Sequence, residues 1–144
     1  MFSTLKNLGD LAIALQSVSP QSAVAGTLNG ASIDRLSHNL PLTCLLHHAV
    51  GAISGAPSAM TVSTIIQHAP DNSTWTNYLY DGTHQAVVQA LTAANTDAQA
   101  SFDLTMAQRY IRAVTTISFT GGSTPSVIVA ADIVLGGENM PPAI

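Results

Sequence analysis

Five histidines are the residues of this chain best suited to metal binding or proton transfer, and their spacing decides whether they can act together. They are His38, His47, His48, His68 and His84. A zinc site needs ligands that converge, often from short local spacings. Because His47 and His48 are adjacent, a strand would point them to opposite faces, and no His-x-His or His-x3-His pair occurs. The spacing therefore predicts structural histidines and no metal site.

Nucleophilic catalysis has equally little support. Cys44 is the single cysteine and lies in the apolar stretch 42–46, which predicts a buried small side chain and excludes an internal disulfide. The alternative, a catalytic thiol, needs an activating charge that this stretch lacks. A Ser-His-Asp triad stays open on residue types alone, but the Gly-x-Ser-x-Gly elbow is missing. We expect no catalytic residue, no cofactor and no enzymatic activity.

Other polar and aromatic residues have simple structural interpretations. Asp71, Asp81 and Asp97 lie in or beside predicted turns, so we interpret them as turn-capping residues. Four aromatic residues could form a platform for a sugar, but positions in the core and in strands are the preferred interpretation. They are Trp75, Tyr78, Tyr80 and Tyr110.

Asp132 differs from the other acidic residues because it lies inside an apolar segment, where a charge needs a partner. If the segments before and after the Gly-rich turn pair as a hairpin, Arg109 and Arg112 can reach it and form a structural ion pair. The hairpin register could instead put Asp132 at a solvated rim. Both alternatives stay open at this point.

The chain is poor in charge for a soluble domain. It has four Lys or Arg and eight Asp or Glu among 144 residues, with none of these from 36 to 70, whereas about 25% is usual. We therefore expect its surface to be buried against copies of itself or a larger particle. The net charge of −4 and the scattered cations argue against nucleic acid. No apolar run approaches the roughly 18 residues of a membrane helix, and the run 11–15 is too short for a signal peptide.

A period of two dominates the hydrophobic pattern and predicts strands. The segments 60–68, 109–119 and 126–135 are rich in β-branched residues. The last two flank a Gly-rich turn at 121–125, which predicts a central hairpin. Because 126–135 is almost continuously apolar, we expect both of its faces to be covered, with Ile128 and Val129 buried on opposite sides.

The remaining segments are assigned less directly. The segment 42–53 predicts a strand bent near Gly51, and 75–80 predicts another strand. Asn29-Gly30 marks a turn. The segment 85–91 fits either a strand or a helical turn, and 93–100 is interpreted as a loop. Short strands joined by Gly, Pro and Asn turns predict an all-β fold, an antiparallel β-sandwich or jelly roll.

The N-terminal segment has the spacing of a short helix. Its apolar stripe predicts an assembly interface, on an arm (1–22) that is either docked on a neighbouring subunit or packed on its own sandwich. The sandwich is predicted over 23–137, with an irregular tail at 138–144. The stripe consists of Leu5, Leu8, Leu11 and Leu15.

Eight segments, taken in order along the chain, form a recognisable pattern: Lys6–Leu8, Val18–Pro20, Ala25–Gly30, Ile33-Asp34, Ala49–Ala52, Gln67–Thr76, Tyr110–Arg112 and Ser126–Gly137. In this order they resemble small structural proteins of tailed bacteriophages that are encoded with the capsid genes. Ala69-Pro70 and Asn72 depart from the pattern, where the family has a polar pair and a turn glycine.

The resemblance implies a virion component made in the host cytoplasm. Its expected role is that of a capsid decoration (cement) protein, a homo-oligomer on the outer surface of the head that binds the major capsid protein. It transfers no catalytic residue. The alternative is a tail or head-fibre module that binds a host surface glycan, for which an exposed aromatic cluster with polar neighbours would be the sign.

Overall fold

Alternating apolar residues direct every second side chain of the long strands into one shared core. The computed structural model describes residues 12–137, which contain no α-helix and one 3-10 turn at Arg35–His38. No helix in residues 12–137 is long and apolar enough to cross a membrane. The strands are β1 Ala12–Ala23, β2 Gly26–Asn29, β3 Ile33–Asp34, β4 Thr43–Ser54, β5 Ala59–Ala69, β6 Thr76–Asn77, β7 Thr96–Asp103, β8 Tyr110–Thr120 and β9 Ser126–Gly136.

The strands form two antiparallel sheets packed face to face. Sheet A has the order β1-β9-β4-β7, and sheet B has the order β2-β8-β5-β6 with β3 beside β8. Only β5 and β6 pair with a neighbour in sequence, because the other connections leave one strand and return to a distant one. This is the arrangement of a jelly roll, so the predicted fold class is confirmed.

The predicted hairpin across the Gly-rich turn is wrong. The strands β8 and β9 have the expected bounds, but β8 lies between β2 and β5 while β9 lies between β1 and β4 in the other sheet. The segment 121–125 therefore crosses from sheet to sheet instead of reversing within one. Both strands are central, as predicted, but across the core from each other.

Burial of β9 follows from this position. Val129 is 2% exposed, as predicted, and shares the core face with Ile133 at 0%. Ile128, predicted to be buried, is 46% exposed. The continuous apolar run therefore has one covered face, and its other face is open on the outside of sheet A.

Of the less direct predictions for strands and loops, some are confirmed and others are wrong. The strand bent near Gly51 is confirmed as β4, whose pairing with β9 shifts between Val50 and Ile53. The segment 75–80 contains only the two-residue β6, and 85–91 makes isolated bridges to β5 through Val87 and Leu91. The predicted loop at 93–100 is wrong, because β7 begins at Thr96.

Residues 12–22 of the predicted arm lie in the sandwich. They belong to β1, which pairs with β9, and Leu15 packs against the core from a strand and not from a helix. Leu5, Leu8 and Leu11 of the predicted interface lie outside the described residues, as does the tail 138–144.

A bulge in β1 ties the two sheets together. The pairing with β9 shifts on both sides of Val18, and Ser17 turns inward. Its Oγ accepts from Ala113 N–H at 2.9 Å and donates to Ala31 O at 2.9 Å. A Cβ on Gly30 would lie 2.3 Å from that Oγ, so the turn predicted at Asn29-Gly30 needs glycine for space.

Two isoleucines of β9 test the orientation of this strand. Ile133→Ala removes a fully buried side chain and should lower the free energy of unfolding by about 2–5 kcal/mol. Ile128→Ala is the matched control on the outer face and should lower it by less than about 1 kcal/mol. Denaturant unfolding of both variants measures the difference, and equal losses would contradict the assignment of faces.

Candidate functional site

The outer face of sheet A is broad and poor in charge. In β4 and β9 the outward side chains include Leu45, Ala49, Ala130 and Val134, while Ile128 is the most exposed large one. Exposed apolar side chains in one contiguous surface are typical of contact regions. Its ionisable side chains in the described strands are His47, Asp97, Asp103 and Asp132.

Two polar side chains of this face, His47 and Asp97, contact each other, and Asp132 does not reach the arginines considered as its partners. His47 Nε2 lies 2.9 Å from Asp97 Oδ2, so Asp97 is a strand residue paired with a histidine and not a turn cap. Asp132 lies opposite His47 in the ladder and is half-buried. Asp132 therefore lies in the other sheet from Arg109 and Arg112, and the predicted ion pair with them is not formed.

Both of those arginines bind residues of sheet B or the turn beside it. Arg109 holds Asp34 with two hydrogen bonds, Nε to Oδ1 at 2.9 Å and Nη2 to Oδ2 at 2.8 Å. This pairing lowers the pKa of Asp34 and raises that of Arg109. Arg112 donates from Nε and Nη2 to Gln67 Oε1 at 3.1 and 2.8 Å. The sequence could not assign these partners, because they depend on which strands pair.

The third arginine of the described residues is buried, which the sequence analysis missed. Arg35 is 4% exposed and donates from Nη1 to Ala107 O at 2.6 Å and Gln108 O at 3.1 Å, and from Nη2 to Pro41 O at 2.8 Å and Leu104 O at 3.0 Å. Its Nε has no partner among residues 12–137. Loss of hydration lowers the pKa of this guanidinium, which remains charged at neutral pH.

The outer face of sheet B carries an aromatic and polar cluster. The Arg112 guanidinium lies over the Trp75 ring, 4.3 Å from its centroid. Gln67, which accepts from Arg112, donates to Asn77 Oδ1 at 3.0 Å. We call Trp75, Arg112, Gln67 and Asn77 the Trp75 cluster. Desolvation lowers the pKa of Arg112, and within residues 12–137 its Nη1 has no hydrogen-bond partner, so one edge of the fork is open.

The four aromatic residues considered as a sugar platform do not converge. Tyr78 is fully buried and donates to Asp103 O. Tyr80 is half-buried against Phe102, with ring centroids 5.5 Å apart. Trp75 and Tyr110 each lie against an arginine on sheet B. A platform of four is therefore wrong, and one smaller cluster remains.

The turn aspartates behave as predicted at two positions. Asp71 Oδ1 accepts from the backbone N–H of Ser73 and Thr74 at 3.0 and 2.7 Å. Asp81 Oδ1 accepts from the backbone N–H of Thr83 and His84, which lowers the pKa of this carboxyl to about 2. These charges organise turns.

Nucleophile and metal chemistry have no geometry in the described part of the chain. Cys44 is 2% exposed, as predicted, and burial raises the pKa of its thiol to about 12. Among residues 12–137 no three His, Cys, Asp or Glu side chains come together as a metal site. His68 Nδ1 accepts from Gln108 N–H at 3.1 Å, and His84 Nδ1 lies 2.6 Å from Asp81 Oδ2.

His48 forms a buried hydrogen-bonded chain between the sheets. It is 1% exposed; its Nε2 lies 2.8 Å from Gln89 O and its Nδ1 lies 2.9 Å from Thr64 Oγ1, which lies 2.8 Å from Thr115 Oγ1. A carbonyl can only accept, so Nε2 carries the proton and Nδ1 accepts from Thr64. The chain suits a neutral imidazole, and desolvation lowers the pKa of His48.

Comparison with known proteins gives similarity in structure alone. No family model matches the sequence, and no curated protein matches it. A chain of Desmodium yellow mottle tymovirus is similar at TM-score 0.35 and 11% identity, over 93% of this chain and 84% of that chain. A chain of turnip yellow mosaic virus is similar at TM-score 0.33 and 11% identity, over 97% and 88%. Scores this low do not decide a function, which must come from the residues of this chain.

The lowered pKa of His48 predicts a loss of stability in mild acid. The unfolded chain takes up the proton near the ordinary pKa of 6.5, whereas the folded protein resists it. The full stabilisation is therefore present above pH 6.5 and falls as the pH drops below it, by at most about 1.4 kcal/mol per pH unit. Burial also lowers the pKa of His68, which adds in the same direction.

His48→Gln separates the two contributions, because an amide can donate to Gln89 O and accept from Thr64 without titrating. Denaturant unfolding between pH 7.5 and 5 should show a shallower loss of stability for this variant than for the native chain. His68→Gln should leave the slope due to His48 in place. A native chain whose stability does not change over this range would contradict the assignment.

Proposed function

We propose that this chain is a non-enzymatic structural protein of a virion that assembles with copies of itself, with the finer role of a decoration protein on the capsid surface. The observation that carries the proposal is how the few charges are used. Of the three arginines in residues 12–137, Arg35 is buried, Arg109 is paired with Asp34, and Arg112 is bound by Gln67. The ionic groups on the outer face of sheet A are confined to the His47–Asp97 pair, Asp103 and Asp132, so most of that face is uncharged where copies would meet.

The fold is compatible with this function, and the sequence favours it. Jelly rolls serve as viral capsid domains and as lectins, among other roles, so the fold alone does not choose. The order of segments that resembles phage virion proteins favours the first use. The major capsid protein is the expected partner, and the head surface the expected location.

Assembly through uncharged surfaces has a measurable salt dependence. Ionic contacts weaken when the Debye length falls from about 10 Å at 0.1 M salt to about 3 Å at 1 M, whereas apolar contacts do not. Sedimentation velocity of the purified chain should show an oligomer that persists at 1 M NaCl, and negative-stain electron microscopy should show regular particles or arrays. A monomer at high concentration in both salts would overturn the proposal.

A second candidate function is recognition of an acidic saccharide by the Trp75 cluster. The open Nη1 edge of Arg112 suits a carboxylate, since guanidinium and carboxylate pair with two parallel hydrogen bonds. Gln67 and Asn77 supply amide groups for hydroxyls, and Trp75 supplies an apolar ring surface beside them. This would place the chain in a host-binding tail or head-fibre module.

Trp75 is the only tryptophan of the chain, so its fluorescence reports directly on this cluster. A uronic acid oligosaccharide should change the emission in a saturable way, and its neutral counterpart should not. Arg112→Gln should abolish the response, while Arg109→Gln, which removes an arginine of the same sheet outside the cluster, should keep it. An unchanged emission with the acidic sugar would exclude this function.

A further inference from the structure

The two sheets have outer edges where backbone N–H and C=O groups are available to another strand, and natural proteins usually obstruct such edges. In sheet B one edge consists of the four-residue β2 and the two-residue β3, both paired with β8, and the other edge is the two-residue β6. Each of these strands is too short to template a long pairing. The β5 side of sheet B is further occupied by isolated bridges from Val87 and Leu91.

In sheet A the β1 edge is also interrupted. Its pairing with β9 is regular from Ala12 to Gln16 and again from Gln21 to Ala23, but shifts on both sides of Val18 between them. Pro20 follows within the same strand and lacks the N–H that a neighbouring strand would need. A partner strand could therefore match only a short part of β1.

The β7 edge differs from these three. It runs without interruption from Thr96 to Asp103 in one register with β4. It contains no Pro, Lys or bulge, and its two charged side chains are held within the chain, Asp97 by His47 and Asp103 by the Thr105 N–H. Within residues 12–137 no strand pairs with its other side, and only Asp103 O, at its end, accepts from Tyr78 Oη. This is the feature expected of an edge meant to be continued by another strand.

We propose that β7 pairs with β7 of a second copy, antiparallel about a two-fold axis, so that sheet A continues from one subunit into the next. A free backbone edge is satisfied best by an extended strand. Since the other three sheet edges formed by residues 12–137 are obstructed, a second copy can offer only its own β7 over a comparable length. The contact is therefore isologous. This inference deepens the proposed assembly and rests on it.

Charge selects the register. In a continuous sheet, residues directly opposite must point to the same face, so the axis passes through a residue position. The longest overlaps place it at Gln99 or at Ala100. An axis at Ala100 puts Asp97 opposite Asp103, and like charges directly opposite are destabilising. An axis at Gln99 puts Asp97 opposite Ser101 and Gln99 opposite its own copy, so we assign the axis to Gln99.

A single cysteine tests this geometry. Opposite residues in an antiparallel pair have Cα atoms about 4.5–5.5 Å apart, within the range that a disulfide spans. Gln99→Cys should form a covalent dimer under mild oxidation, reversed by dithiothreitol. The native Cys44 will not interfere, because it is 2% exposed. Gln16→Cys, an exposed residue on the regular part of β1, is the matched control and should stay monomeric on a denaturing gel.

A second variant keeps the test independent of oxidation. Gln99→Lys brings two positive charges together at the axis and should weaken the dimer at least tenfold in sedimentation, whereas Gln16→Lys should not. If the chain assembles but neither Gln99 variant has its effect, the β7 contact is wrong and the proposed function stands. That result would also follow if a segment of the same chain covered β7. If the native chain never associates, the proposed function itself fails.

Discussion

The structure depends on strand pairs whose members lie far apart in the sequence. Among the strands in residues 12–137, only β5 and β6 pair as neighbours along the chain, so almost every pairing brings together distant segments and the chain crosses repeatedly between the sheets. The connections that cross between sheets must therefore pack against each other. Ser123 N–H donates to Gly55 O at 2.9 Å, and a Cβ on Gly122 would lie 2.7 Å from that oxygen. Gly122, at φ +86°, meets both the conformational and the steric requirement.

Arg35 solves a related problem at a place where loops meet. The carbonyls of Pro41, Leu104 and Ala107 point inward from two connections, and buried carbonyls need donors. One guanidinium satisfies them and Gln108 O together, with no carboxylate among its hydrogen-bond partners in the described residues. One of the four Lys and Arg residues of the chain is thus buried. Its charge does not solvate the surface, and its hydrogen bonds hold the two connections in place.

The sequence predicted what depends on local patterning and missed what depends on pairing. Apolar patterning and β-branched residues predicted β4, β5, β8 and β9 to within a residue or two, because both are properties of each segment. They could not tell that β8 and β9 lie in different sheets, so the predicted burial of Ile128 was wrong, and one of the two alternatives left open for Asp132, an ion pair with Arg109 or Arg112, is excluded. β7 was missed because its Ala, Gln, Ser and Asp residues have low strand propensity and are held by β4. The Trp75 cluster could not be predicted from residue types either, because Gln67, Asn77 and Arg112 come together only through the pairing of β5 with β6 and β8.

The missed strand matters most for function. A segment with weak strand propensity becomes a long, regular edge only through its neighbour. Within residues 12–137 its other side has no partner strand, and it lacks the Pro, bulges and shortness that obstruct the other edges. The charge-poor surface explains why copies of this chain would tolerate close approach, but it gives no direction to the contact. A backbone edge does give direction, because its hydrogen bonds fix orientation and register. Low charge and one open edge together therefore favour a defined assembly over indiscriminate aggregation, as the proposed structural role requires.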